Sequence, residues 1–170
     1  MPSQPQPGEC APYYFTYIDQ VPGGDVIATL ERQLTELEAW CASISEERSL
    51  HRYEPGKWSI REVLNHINDT ERVFVFRALW FARGFPSALP AFEQNSAVEA
   101  ASADSIAWAS HVAEWRAVRQ ASIEFFRSLP EHAWTATGIA SENPFTVNSL
   151  AYIVAGHSAH HLAILRERYA

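Results

Sequence analysis

A chain of 170 residues can bury one substantial core and is too short for two ordinary domains. Hydrophobic residues make up 47% and charged residues 19%, which excludes a disordered chain. A net charge of −7 without clustered Lys and Arg argues against a nucleic-acid partner, and no stretch approaches the roughly 20 apolar residues a bilayer crossing needs.

Met1–Pro12 is rich in Pro and polar residues and lacks the apolar run of an export signal. It reads as a flexible arm (1–12) before one domain (13–170), with the cytoplasm as the expected location. Cys10 in the arm and Cys41 in an apolar helical stretch form neither a disulfide framework nor a CxxC site. Cys41 reads as a small buried hydrophobe.

Four long helical patterns follow. The first spans about 25–44, with Val26, Leu30, Leu34, Leu37 and Cys41 at helical spacing and Asp25 as N-cap. The second opens on Ser59-Ile60-Arg61-Glu62, the pattern of a capping box, with Trp58 and Val63 as a hydrophobic staple. It runs to about Arg83, with Gly84 ending it. Phe85–Ala103 is a long connection containing Pro86 and Pro90, with room for short helix, and loops of this length often cover a site. The third pattern runs from about Asp104 to Leu129, and the fourth from Thr146 or Asn148 to about Arg168. No segment shows strand alternation bounded by hairpin turns. The expectation is an all-α four-helix bundle with one long crossover, an architecture that builds sites from side chains projecting into its core.

On a helical wheel Leu150, Val154, His157, His161 and Leu165 share one stripe. Two histidines at i and i+4 on an apolar face can reach one ion, and burying both without partners is costly. His160, at i+3 from His157, could replace His161. Gly156 implies close approach of the second helix, room for a ligand, or packing against an aromatic ring, since Gly inside a helix costs about 1 kcal/mol. On the second helix His66 lies at the edge of the core. A lone histidine there is ordinarily a hydrogen-bonded core residue. Asp69 or Glu62 could orient its ring, and Asp69 could be a further ligand. His51, His111 and His132 lack metal-site spacing.

The stretch from Glu54 through His66 to Phe74 resembles the second-helix signature of DinB-like proteins, and Ala155-Gly-His157-Ser-Ala-His-His161 through Tyr169 resembles the fourth. Phe81-Ala-Arg-Gly84 and Tyr17-Ile-Asp-Gln-Val-Pro-Gly-Gly24 are similar too. The resemblance implies an up-down-down-up bundle, often a homodimer, holding a divalent metal on His66, His157 and His161. Relatives include thiol-dependent S-transferases and metal-dependent hydrolases acting on small molecules. Three imidazoles leave coordination positions open, and Zn or Ni suits them best, with Fe or Mn also compatible. An open position can acidify a water or hold a thiolate from a low-molecular-weight thiol. By helical position Asp69, Glu71, Arg77 and Tyr152 are candidates for an acid, base or anchoring cation, and Phe85–Asn95 for the entrance. A noncatalytic metal- or small-molecule-binding bundle is the alternative.

Overall fold

In the computed structural model, which describes residues 3–169, three of the four long helices begin where the sequence supplies a cap, and the other begins after Ala107 without one. The elements are α1 (Phe15–Ile18), α2 (Val26–Ala42), α3 (Ile60–Ala82), α4 (Gln94–Ala101), α5 (Trp108–Arg127), a hairpin of β1 (Thr137–Ala140) and β2 (Asn143–Thr146), and α6 (Val147–Arg168). Asp25 caps α2 by accepting from the Ile27 and Ala28 N–H groups. The Ser59–Glu62 capping box is formed at α3, and Thr146 with Ser149 forms a second at α6. At the end of α3 the N–H of Phe85 reaches Trp80 O and that of Gly84 reaches Phe81 O, with Gly84 at φ +73. This Schellman closure needs the left-handed conformation that Gly adopts without a Cβ clash.

Contacts along the helices set their directions. Tyr152 near the start of α6 donates to Gly24 O beside the start of α2, and Arg48 after α2 donates to Tyr169 O after α6. Those two helices are parallel. Trp108 at the start of α5 donates to Cys41 O at the end of α2, so α5 runs opposite to α2. Tyr169 donates to Trp58 O just before α3, so α3 runs opposite to α6. The order is therefore up-down-down-up, and the parallel neighbours α3 and α5 require the long crossover that carries α4. No helix of the described residues is long and apolar enough to cross a membrane.

The apolar core has two parts. One gathers Leu30, Phe81, Phe126, Phe145, Tyr152 and Val154; the other gathers Leu37, Ile60, Leu64, Trp115, Leu162 and Leu165. Between these positions along the helices lie the polar side chains of Gln33, Glu71, Arg119 and Ser158, together with the histidines. Arg119, fully buried, is bidentate to Glu71 (2.7–3.1 Å) and also donates to Gln33 Oε1 and Ser158 Oγ. Gln33 donates onward to Ala155 O on α6. One polar layer thus ties all four long helices together.

Three sequence expectations need correction. A two-residue loop, Ser141-Glu142, joins a hairpin not read from sequence. Both loop residues have positive φ (49 and 62), a conformation usually signalled by Asn-Gly. The strands are only four residues long, so alternation had no length in which to emerge. The expected arm is docked over its described part: Thr146 N–H donates to Glu9 O, Cys10 pairs with Phe145, and Cys10 is buried. Met1 and Pro2 lie outside the described residues. Finally, α5 starts at Trp108, because Asp104 instead accepts from Ser59 Oγ and Arg52.

Candidate metal centre

The first half of α6 is buried on all sides, since α1, the N-terminal segment and the hairpin cover what the other long helices leave. Its stripe of Leu150, Val154, His157, His161 and Leu165 meets the first turns of α3, which bring His66 to the same point. His157 Nε2 lies 3.1 Å from both His66 Nε2 and His161 Nε2. One ligand atom from each histidine lies within 4.8 Å of the other two. His66 and His157 are 2% and 5% exposed, and His161 is half-buried.

Burial holds the His66 imidazole down to about 4 and that of His161 to about 3, the latter assisted by His66 and His160. His157 is also held well below the usual imidazole range, first by burial, then by the neighbouring histidines and by Arg119. At neutral pH all three rings are therefore uncharged, the form that ligates a cation. Each Nε2–Nε2 contact needs one proton between two nitrogens, whereas an ion can take a lone pair from all three at once. The donor set fits a divalent metal with positions left for other ligands.

The His66 Nδ1 meets Thr70 Oγ1 at 3.3 Å. Thr70, rather than Asp69 or Glu62, is the side chain placed to orient this ring, and its position at i+4 was the available signal. Glu62 is engaged by the N–H of Ser59 and by Arg52. Asp69 accepts from Asn65 and Arg72 and joins no metal-type cluster among the described residues. Tyr152 is committed to Gly24 O, and Glu71 to Arg119. His160 turns toward Gln20 (3.4 Å) and the Tyr17 ring, so it is His161 that converges with His157. His111 is structural, its Nε2 2.9 Å from Ala103 O.

The close neighbour at Gly156 is not α3 or an aromatic ring. A Cβ there would stand 2.1 Å from Tyr17 O, so the backbone of α1 is seated directly on α6. That seating places the Tyr17 ring edge-on to His157, with centroids 5.4 Å apart.

A cavity of about 260 Å³ opens beside the histidines. His66, His157, Thr70 and Arg77 line it, as do Tyr13, Tyr14 and Tyr17 from the N-terminal segment and Ser141 from the hairpin turn. Of the expected entrance, Phe92, Glu93 and Gln94 contribute. The tyrosines and Ser141 went unforeseen because they approach through long-range contacts with no local pattern. A larger surface groove, about 750 Å³ and lined by Phe126, Leu129 and Trp134, includes none of the three histidines.

Residues 29–165 match the profile of the DinB superfamily. No curated protein matches the sequence. The fold is similar to that of YfiT from Bacillus subtilis, described as a probable metal-dependent hydrolase with an unusual four-helix bundle topology. The TM-score is 0.74 at 16% identity, over 84% of this chain and 82% of that one.

Proposed function

The chain belongs to the DinB superfamily, and from that premise we propose that it binds a divalent metal on His66, His157 and His161 and uses it in a thiol-dependent S-transfer or a hydrolysis. The observation that carries this reading is the convergence of three buried, uncharged imidazoles beside a cavity. The description of YfiT as a probable metal-dependent hydrolase supports the hydrolytic branch. Zn or Ni suits the three nitrogens, with Fe or Mn also compatible.

When bound, such an ion would supply Lewis acidity that makes a water or a thiol beside it more acidic. The protein's own residues prepare that place. Thr70 orients His66, the Tyr17 and Phe74 rings flank His157, and Trp58 packs on His66 with centroids 4.9 Å apart. These rings restrict water on the protein side of the centre. The Tyr13 and Tyr17 hydroxyls, 3.0 Å apart, hold protons on the cavity wall, and burial raises the Tyr17 pKa.

One observation favours the alternative of a noncatalytic binding bundle. Among the described residues lining the cavity Glu93 is the sole carboxylate, and it accepts from the N–H groups of Asn95 and Ser96 at the start of α4. The two readings are separated by assaying conjugation of a low-molecular-weight thiol to electrophiles, and hydrolysis of esters and amides, with metal-loaded and chelated protein. The proposal expects turnover that chelation abolishes and metal restores. Metal binding without turnover across the panel would assign the bundle to binding alone.

A homodimer is part of the proposal. Phe76, Leu79 and Phe85 are exposed on and just after α3, apolar surface that a second copy would cover. Light scattering should give twice the 19.1 kDa of one chain.

A further inference from the structure

Arg77 projects from α3 into the wall of the cavity that His66 and His157 also line, and it is 4% exposed. Two other arginines are as deeply buried, and each has a carboxylate: Arg119 pairs with Glu71, and Arg61 with Glu46. Arg77 has none within ion-pair distance among the described residues. Its Nη2 donates to Pro90 O at 3.1 Å and Ser141 Oγ at 2.9 Å, and the Tyr14 hydroxyl lies beside it. These neutral contacts position the guanidinium without neutralising it, and they do not use all five of its N–H donors. A buried charge lacking a counter-ion is strongly disfavoured, and a planar fork at a cavity wall matches a carboxylate bidentately.

We infer that Arg77 makes this cavity a receptor for a small carboxylate-bearing molecule, whose anionic end lies on Arg77 while its other end faces His66 and His157. This rests on the site reading above for what happens at the far end, but the anion contact itself needs no metal. A volume of about 260 Å³ falls below the roughly 300–1,000 Å³ of drug-sized pockets and limits the ligand to a small one. One guanidinium, with the Glu93 carboxylate also in the lining, favours a monoanion over a phosphate dianion. The tyrosines and Phe92 favour an apolar or aromatic body.

The test is calorimetric titration of chelated protein with benzoate, its neutral isostere benzamide, and inorganic phosphate. Wild type should bind benzoate at least tenfold more tightly than benzamide or phosphate. Arg77→Gln should bring benzoate and benzamide to within about twofold, and Arg77→Lys, which keeps the charge but loses the fork, should retain an intermediate preference. Equal binding of benzoate and benzamide by wild type would overturn the inference, as would full preference in Arg77→Lys or Arg77→Gln. Phosphate binding as tight as benzoate would overturn the carboxylate assignment. The wild-type comparison decides even if Arg77→Gln does not fold. A protein that prefers benzoate yet holds no metal would sink the metal reading alone, and one that holds metal without the preference would sink the anion reading alone.

Discussion

His66 Nε2 and His157 Nε2 stand 3.1 Å apart on antiparallel helices, 91 positions apart in the chain, with His161 closing the triangle. Bringing three imidazoles together in a water-poor layer costs free energy that a bound ion returns. A ligand that binds only the folded chain stabilises it by about 2.7 kcal/mol at a hundredfold excess over Kd. For a domain of this size that corresponds to roughly 5–10 °C in Tm. Chelation should lower the melting temperature by that order, and Zn or Ni should restore it. Thr70→Val should weaken metal affinity by about 10–100-fold, because the ring of His66 loses its orienting partner. Calorimetry of the loaded and chelated proteins checks both effects.

Acid should destabilise the metal-free protein, and the sign follows from the depressed imidazoles. In the unfolded chain a histidine titrates near 6.5, whereas His66 and His161 in the fold titrate at about 4 and 3. Between these values the unfolded state binds more protons, so stability is present above about 6.5 and is lost as pH falls toward the folded values. The slope is at most about 1.4 kcal/mol per pH unit for each such histidine. Denaturant titrations of chelated protein at pH 7.5, 6.0 and 5.0 should show a progressive decline, steeper in wild type than in His66→Gln. A flat profile would contradict the buried, uncharged state of the three rings.

Gly156→Ala should be destabilising, although Ala is the better helix former. The added methyl meets backbone at Tyr17, not a side chain that could swing away. Overpacking of this kind typically costs about 1–3 kcal/mol. The segment carrying Tyr13, Tyr14 and Tyr17 should loosen, with faster amide exchange there than in α5. Unchanged stability would mean that α1 is not seated on α6 as described.

The Arg119–Glu71 pair should behave as a unit. Breaking a buried ion pair from one side costs about 3–5 kcal/mol, while replacing both partners can be nearly neutral. Glu71→Gln and Arg119→Met should each destabilise strongly, and the double variant should fall well short of their sum. A double-mutant cycle by chemical denaturation measures this directly. Additive losses would show that the two side chains do not depend on each other.

Much of this was legible where chemistry is local. The capping box at Ser59, the Asp25 cap and the Gly84 terminator are encoded within a few residues, and each forms. The stripe through His157 and His161 was readable because one helix carries both. The same stripe favoured His161 over His160; what it could not show is that Gln20 and Tyr17 reach His160 from the N-terminal segment. The purpose of Gly156 was equally hidden, because the Tyr17 backbone is distant in sequence. Asp69, Glu71 and Tyr152 read as site candidates by helical position, yet Asn65 and Arg72 engage Asp69, Arg119 engages Glu71 and the distant Gly24 carbonyl engages Tyr152, so Arg77 alone of the four candidates lines the cavity. The Ser141-Glu142 turn lacks the residues that announce such turns, so neither the hairpin nor the placement of Ser141 beside Arg77 had a sequence signal.

Whether His66, His157 and His161 form a metal centre is decided by the metal content of protein purified without a histidine tag, wild type beside His157→Ala. His157 is the residue whose Nε2 contacts both other rings, so its loss should dismantle the centre. Wild type should hold one divalent ion per chain and His157→Ala less than about a tenth of that, with helical content unchanged in both. Wild type without stoichiometric metal after exposure to Zn and Ni, or full retention in His157→Ala, would rule that centre out.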